Sequence, residues 1–155
     1  MKKDLIESEV LAPEVFESSL FGAMRKLQHA AEVHAKQRGR CGGLTPTKQM
    51  ILQVLVAEGR LTASQLSQRV SISAATLSGM LDRMEERQLL KRERDSQDKR
   101  RQWLLISPAG RALLDEAPSL LPPALLRALE TMPAWERHSL IAALLRVGEL
   151  CDQME

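Results

Sequence analysis

Between residues 61 and 107 the polarity period of the chain switches from that of a helix to that of a strand, and hydroxyl residues stand where the elements must begin. Thr62-Ala63-Ser64-Gln65 has a hydroxyl followed three residues later by an amide, a capping-box pattern that predicts a short helix through Arg69 with Leu66 and Val70 inward. After Val70-Ser71-Ile72, Ser73 is placed to cap a second helix bearing Leu77, Met80, Leu81 and Met84 at helical spacing. Two short helices joined by a tight polar turn outline a helix-turn-helix. From Leu89 the apolar residues alternate. Leu90 to Arg94 and Gln102 to Ser107 read as two strands around Asp95-Ser96-Gln97-Asp98-Lys99-Arg100-Arg101, a hairpin with a basic tip.

The flanks are helical. Pro13 opens a long first helix running to about Lys36, where the glycine-rich stretch 38–43 breaks it. Thr45-Pro46 supplies a cap and first-turn proline for a helix burying Met50, Ile51, Val54 and Leu55 and ending near Glu58-Gly59. Ser107-Pro108 caps another, interrupted at Pro118 and Pro122-Pro123, and a last helix begins near Pro133. The chain is long enough for one compact domain with helical extensions. No apolar run approaches the roughly 20 residues of a membrane span, and no signal-peptide core follows Lys2 and Lys3, so a cytoplasmic protein without a membrane partner is expected.

Charge is distributed unevenly. Residues 36–111 hold 15 basic and 7 acidic side chains, an excess of eight in a chain whose net charge is +2. A basic centre with acidic ends fits a module that faces a polyanion. A helix entering the DNA major groove needs small and polar side chains near its N-terminus so that the backbone can approach the base edges. Ser73, Ala74, Ala75, Thr76, Ser78 and Gly79 provide them, and Arg83 lies a turn further on. Arg94, Lys99, Arg100 and Arg101 concentrate positive charge on the hairpin, suited to a phosphate backbone or a narrow minor groove.

The run from Leu61 to Gly110 resembles the DNA-binding core of MarR regulators. The matching text is Ser73-Ala74-Ala75-Thr76-Leu77-Ser78-Gly79-Met80-Leu81-Asp82-Arg83-Met84-Glu85, then Asp95-Ser96-Gln97-Asp98-Lys99-Arg100, then Ile106-Ser107-Pro108-Ala109-Gly110. The family usually has Gly where Gln88 stands and Leu-Thr where Ile106-Ser107 stand. The first departure asks Gln88 to occupy a left-handed helix terminus, while the second keeps a good N-cap.

The resemblance implies a mainly α fold, a winged helix-turn-helix with a small β-hairpin wing and N- and C-terminal dimerisation helices. Residues 1–40 and 108–155 would form the dimer, through apolar positions such as Leu5, Ile6, Val10, Leu11, Leu120, Leu121, Leu125, Leu140, Leu144 and Leu145, with 41–107 as the DNA-binding lobe. It implies a homodimeric regulator of transcription, a ligand-responsive repressor on palindromic double-stranded DNA. Asp98 and Arg100 would position the wing, and Lys99 and Arg101 would contact DNA. A small-molecule effector pocket would fall near Met24, Gln28, Leu44 and Trp103. Trp103 and Leu105 alternate with Leu104 and Ile106, so both strand faces are apolar and a neighbouring helix or a partner subunit is expected to cover Trp103.

Other chemistries are poorly supported. His29 and His34, five residues apart, do not share a helical face, and with Cys41 they make a weak metal set. Cys41 and Cys151 show no motif spacing, although Arg38 and Arg40 beside Cys41 leave a redox-responsive variant as an alternative, alongside a winged-helix protein-interaction module. No nucleophile–base pair or glycine-rich phosphate loop is present, so neither enzyme activity nor a cofactor is expected.

Overall fold

The computed structural model describes residues 13–38 and 43–153. Leu5, Ile6, Val10, Leu11 and Cys41, singled out in the sequence, lie outside the described residues. The elements follow the order α1 (Pro13–Arg38), α2 (Pro46–Glu58), β1 (Arg60–Leu61), α3 (Ala63–Val70), α4 (Ala74–Glu86), β2 (Leu90–Arg94), β3 (Gln102–Ile106), α5 (Pro108–Glu116), α6 (Pro123–Thr131) and α7 (Ala134–Asp152). No helix among the described residues is long and apolar enough to cross a membrane.

The hydroxyl caps form as the sequence predicts. Thr45 accepts from the Lys48 amide, Thr62 and Gln65 complete a capping box, Ser73 accepts from the Thr76 amide and Ser107 from the Gly110 amide. The predicted hairpin gains a third strand. The two-residue β1 pairs antiparallel with β3, giving the order β1-β3-β2, with Arg60 opposite Leu105 and Trp103 opposite Glu93. So short a strand carries no period of its own, which is why the sequence pattern does not reveal it.

The chain divides into two compact units. One is Glu32–Leu120, the other the described residues of Met1–Ala31 with Leu121–Glu155. The boundaries between these units fall at 31/32 and 120/121, so the end of α1 and all of α5 group with the helix-turn-helix. Within that unit Arg38 donates to the side chain of Gln49 and to the Pro118 carbonyl (3.1 Å), Gln49 donates to the same carbonyl at 2.8 Å, and His34 Nε2 meets the Ser119 carbonyl at 3.0 Å. Gln49, 1% exposed, is the one buried polar residue of the described core, and these bonds satisfy it.

The core of this unit is built from leucines, with Ile51, Val70 and Met84 completing it. Leu66 and Val70 of α3, Leu77, Leu81 and Met84 of α4, and Leu90 and Leu104 of the sheet are all buried, each stabilising the fold by roughly 2 kcal/mol through removal of apolar surface from water. The other unit contrasts sharply. No described residue of α6, α7 or the 14–31 stretch of α1 is buried, and Phe16, Phe21, Trp135, Leu144 and Leu145 are each more than half exposed.

The exit from α4 fixes where the wing begins. Gln88 takes φ = +58°, and the Gln88 and Leu89 amides return to the Glu85 and Met84 carbonyls at 2.7 and 2.9 Å, the paired bonds of a left-handed helix terminus. Ser107 then ties the sheet to this turn: its hydroxyl donates to the Gln88 carbonyl and its amide to the Leu89 carbonyl. Gly110, in the first turn of α5, rests directly on the same peptide, and a Cβ there would stand 1.9 Å from the Leu89 carbonyl oxygen. Gly110→Ala is therefore expected to cost about 3 kcal/mol or more, because two backbones must separate. Gln88→Gly should instead stabilise by about 1 kcal/mol by relieving the left-handed residue. Urea unfolding at one fixed protein concentration measures both, and an alanine variant within about 0.5 kcal/mol of wild type would contradict the close approach.

Candidate nucleic-acid interface

Burial of Leu77, Leu81 and Met84 rolls α4 so that Ala74, Ala75, Thr76, Ser78, Gly79, Asp82 and Arg83 are exposed. The first turn is spoken for internally, since Ser73 Oγ accepts the Thr76 amide at 3.3 Å and donates to Thr76 Oγ1 at 3.0 Å. Arg83 donates through Nε to the Gly79 carbonyl at 3.0 Å, and with no side chain at Gly79 its guanidinium lies along the helix surface. Glu85 is taken by Arg92 of β2, whose guanidinium also binds Asp82, both at 2.7 Å. This double ion pair clamps the exposed helix to the wing and was not singled out from the sequence; the spacing of Asp82 and Glu85, one turn apart, is the signal that pointed to it. A second two-point pair, Arg69 to Glu58 at 2.6 and 3.2 Å, joins the ends of α3 and α2.

The wing turn is organised by Asp95, another residue the sequence reading passed over. Its Oδ1 accepts the amides of Gln97 and Asp98 at 2.8 and 2.9 Å, and its Oδ2 accepts the indole N–H of Trp103 at 2.6 Å. The Asp98 amide, the Trp103 indole and the Gln97 amide, together with the nearby Arg101 charge, hold the Asp95 carboxyl down at about 2. Asp98 accepts the Arg100 amide at 3.0 Å, so it meets that arginine through the backbone. An Asp followed closely by backbone amides in a tight turn is the signal that was available for Asp95.

Trp103 is half-buried, and its cover is not a helix. The Arg60 guanidinium lies 4.6 Å and that of Arg101 5.5 Å from the ring centroid. Lys99 and Arg100 are exposed at the tip, and Arg94 is exposed at the end of β2 opposite Gln102. Arg100, Arg101, Asp98 and Gln102 face Thr62 and Ser64 across an open cleft of about 390 Å³. Arg83, Arg94, Lys99, Arg100 and Arg101 thus all lie on the surface of one unit. Of the four residues named for an effector pocket, Leu44 is a core residue at 4% exposure and Trp103 belongs to the wing, both in one unit, and Met24 and Gln28 are exposed on the stretch of α1 assigned to the other. Among the described residues no group of His, Cys, Asp or Glu is placed to hold a metal ion, and Cys151 is exposed on α7.

A capped exposed helix backed by a hydrophobic stripe and flanked by a cationic hairpin is the arrangement of the winged helix-turn-helix regulators. The comparisons specify it further: the MarR family model matches residues 44–101, and the chain belongs to the MarR family. A solved structure of a probable transcriptional regulator from Pseudomonas aeruginosa is 31% identical, with 82% of this chain and 94% of that one covered and a TM-score of 0.61. NadR, solved in complex with 4-hydroxyphenylacetate, shares the fold at 21% identity, with 90% and 95% covered and a TM-score of 0.65. The HTH-type transcriptional repressor YetL of Bacillus subtilis (strain 168) is 29% identical over 100 residues, 63% of this chain. The chain spans 58% of YetL and 65% of a second curated regulator from the same strain, YsmB.

Because Asp95 is held below the 3.8 of a free carboxyl, its bonds stabilise the wing fully above about pH 4, and that contribution is lost as pH falls through about 2. The Asp95 carboxyl carbon should keep its ionised chemical shift at about pH 3, where ordinary carboxylates have largely titrated. A midpoint near 4, followed by NMR, would mean that the Asp95–Trp103 bond does not hold in solution.

Proposed function

We propose that the protein is a sequence-specific, double-stranded DNA-binding regulator of transcription, a ligand-responsive repressor that works as a homodimer on a palindromic operator. The observation that carries this reading is the placement of the polar face of α4 and the uncompensated cations of the wing on one unit, with carboxylates directed to Arg92 and Arg69 instead. Small side chains at Ala74, Ala75, Ser78 and Gly79 allow the helix backbone close to base edges in the major groove, and Arg83 extends along it. Arg94, Lys99, Arg100 and Arg101 supply the sequence-independent attraction to phosphates. Repression is supported by the likeness to YetL and response to a small molecule by the likeness to NadR, whose solved complex holds an aromatic carboxylate.

A second copy is the occupant that suits the unit without a core. Its apolar residues lie on α1, α6 and α7 of one chain, and helices this apolar with nothing buried gain stability only by covering each other's exposed faces. The dimer should be obligate, so its thermal midpoint should rise with protein concentration and sedimentation should show one two-chain species into the nanomolar range. A folded monomer that fails to associate at micromolar concentration would refute the architecture.

Two equivalent α4 helices presented to one face of B-DNA enter successive major grooves, so the half-sites should form an inverted repeat with centres about 10 to 10.5 base pairs apart. Footprinting on the DNA flanking the protein's own gene tests this directly. Thr76→Ala combined with Ser78→Ala should cost on the order of 1–3 kcal/mol per altered base contact and relax preference at symmetry-related positions, with random-sequence binding barely changed. An asymmetric footprint would refute the symmetric docking, and intact preference in the double variant would assign base reading to Arg83 or the wing.

A further inference from the structure

We propose that Trp103 is a platform that holds the Arg60 and Arg101 guanidiniums in place for the phosphates of duplex DNA, which makes Arg60 a backbone-contacting residue of this interface. The inference rests on the DNA-binding reading. Arg60 opens β1 opposite Leu105, and because side chains alternate along a strand it shares a sheet face with Trp103, two residues away on β3. The indole cannot rotate freely, since its N–H is committed to Asp95 at 2.6 Å and Asp95 is in turn fixed by the Gln97 and Asp98 amides. One guanidinium lies 4.6 Å and the other 5.5 Å from the centroid of that fixed ring.

Stacking engages the π-face of a guanidinium and leaves its in-plane N–H donors available for paired bonds to phosphate oxygens. Neither Arg60 nor Arg101 is ion-paired to a carboxylate among the described residues, in contrast to Arg92 and Arg69. The result is a pair of uncompensated cations whose side-chain freedom is already restricted before binding, which lowers the entropy to be lost when a phosphate is met. The two arginines come from separate parts of the chain, one from before α3 and the other from the wing turn. Together they extend the cationic surface from the hairpin tip to the start of the helix-turn-helix.

The test uses the full-length protein and fluorescence anisotropy of a labelled specific duplex and a random duplex over a range of salt concentrations, with thermal unfolding of each variant as a folding check. Arg60→Ala should weaken both duplexes alike and reduce the log–log salt slope by about 0.9, the loss of one neutralised phosphate. Arg60→Lys keeps the charge without the planar stack and should weaken binding with the slope preserved. Trp103→Phe retains an aromatic face but loses the bond to Asp95 that fixes it, and should weaken binding less than Trp103→Leu. Trp103→Leu should weaken binding, and in its background Arg60→Ala should cost a smaller fold-change than in wild type; if that variant does not fold, the lysine substitution carries the positioning test. Wild-type affinity and slope in Arg60→Ala would overturn the contact, and equal fold-losses in both backgrounds, or lysine indistinguishable from arginine, would overturn the platform. A wild-type protein that binds no duplex at any salt would instead refute the DNA-binding reading itself, and this inference with it.

Discussion

One stripe of leucines governs the rest of the molecule's chemistry. Leu77, Leu81 and Met84 are spaced to lie on one side of α4, and burying them against Leu66, Val70 and Leu104 leaves only one rotational setting for that helix. Everything exposed on α4 follows from it: the small residues around Ser78 and Gly79, the Arg83 guanidinium laid over them, and the two carboxylates that reach Arg92 on the neighbouring strand. A dry face of nearly zero exposure opposes rolling of α4 on one side while a two-point ion pair opposes it at the edge, as the proposed reading of a groove requires. Because the ion pair is partly exposed, its role is mainly geometric; the burial supplies the energy.

The wing depends on a different physical device. A seven-residue turn crowded with cations would splay by mutual repulsion, and its one organising group is the Asp95 carboxylate, which gathers two amides and the Trp103 indole. The indole then accepts cations on its faces. Negative charge is thus placed inside the turn, where it orders the backbone, and positive charge outside it, where a polyanion can be met. Asp98 works in the same direction by holding the Arg100 amide, so both acids of the wing act on backbone geometry, and neither pairs with a guanidinium in the wing.

The two units solve stability differently. The unit carrying the helix-turn-helix has a complete core and a polar knot in which Gln49 and Arg38 bond to each other and to the Pro118 carbonyl. The other has no buried residue of its own among those described, so its helices are amphipathic elements awaiting a surface. In the proposed homodimer such a division would couple folding to association, the exposed apolar area of α1, α6 and α7 becoming stabilising once covered.

The sequence by itself determined the elements and their ends, because capping and periodicity are local. Thr45, Thr62, Ser73 and Ser107 stand one residue before the helices they cap, and the left-handed turn expected at Gln88 is present at φ = +58°. The winged helix-turn-helix class and the MarR family were legible for the same reason, since the motif lies within about fifty consecutive residues. What required the tertiary structure was every pairing between side chains distant in the chain or hidden by an absent pattern. Two residues of β1 are too few to show alternation, yet they bring Arg60 beside Trp103. The apolar second face of β3 suggested cover by a neighbouring helix or a partner subunit; within the chain two arginines lie against Trp103 there, their long stems helping to shield the indole from water. The sequence singled out Asp98 in the wing and gave Asp95 no role; only the fold, which closes the hairpin at the Asp95 amide and the Arg101 carbonyl, shows that Asp95 holds the indole N–H while Asp98 holds the Arg100 amide.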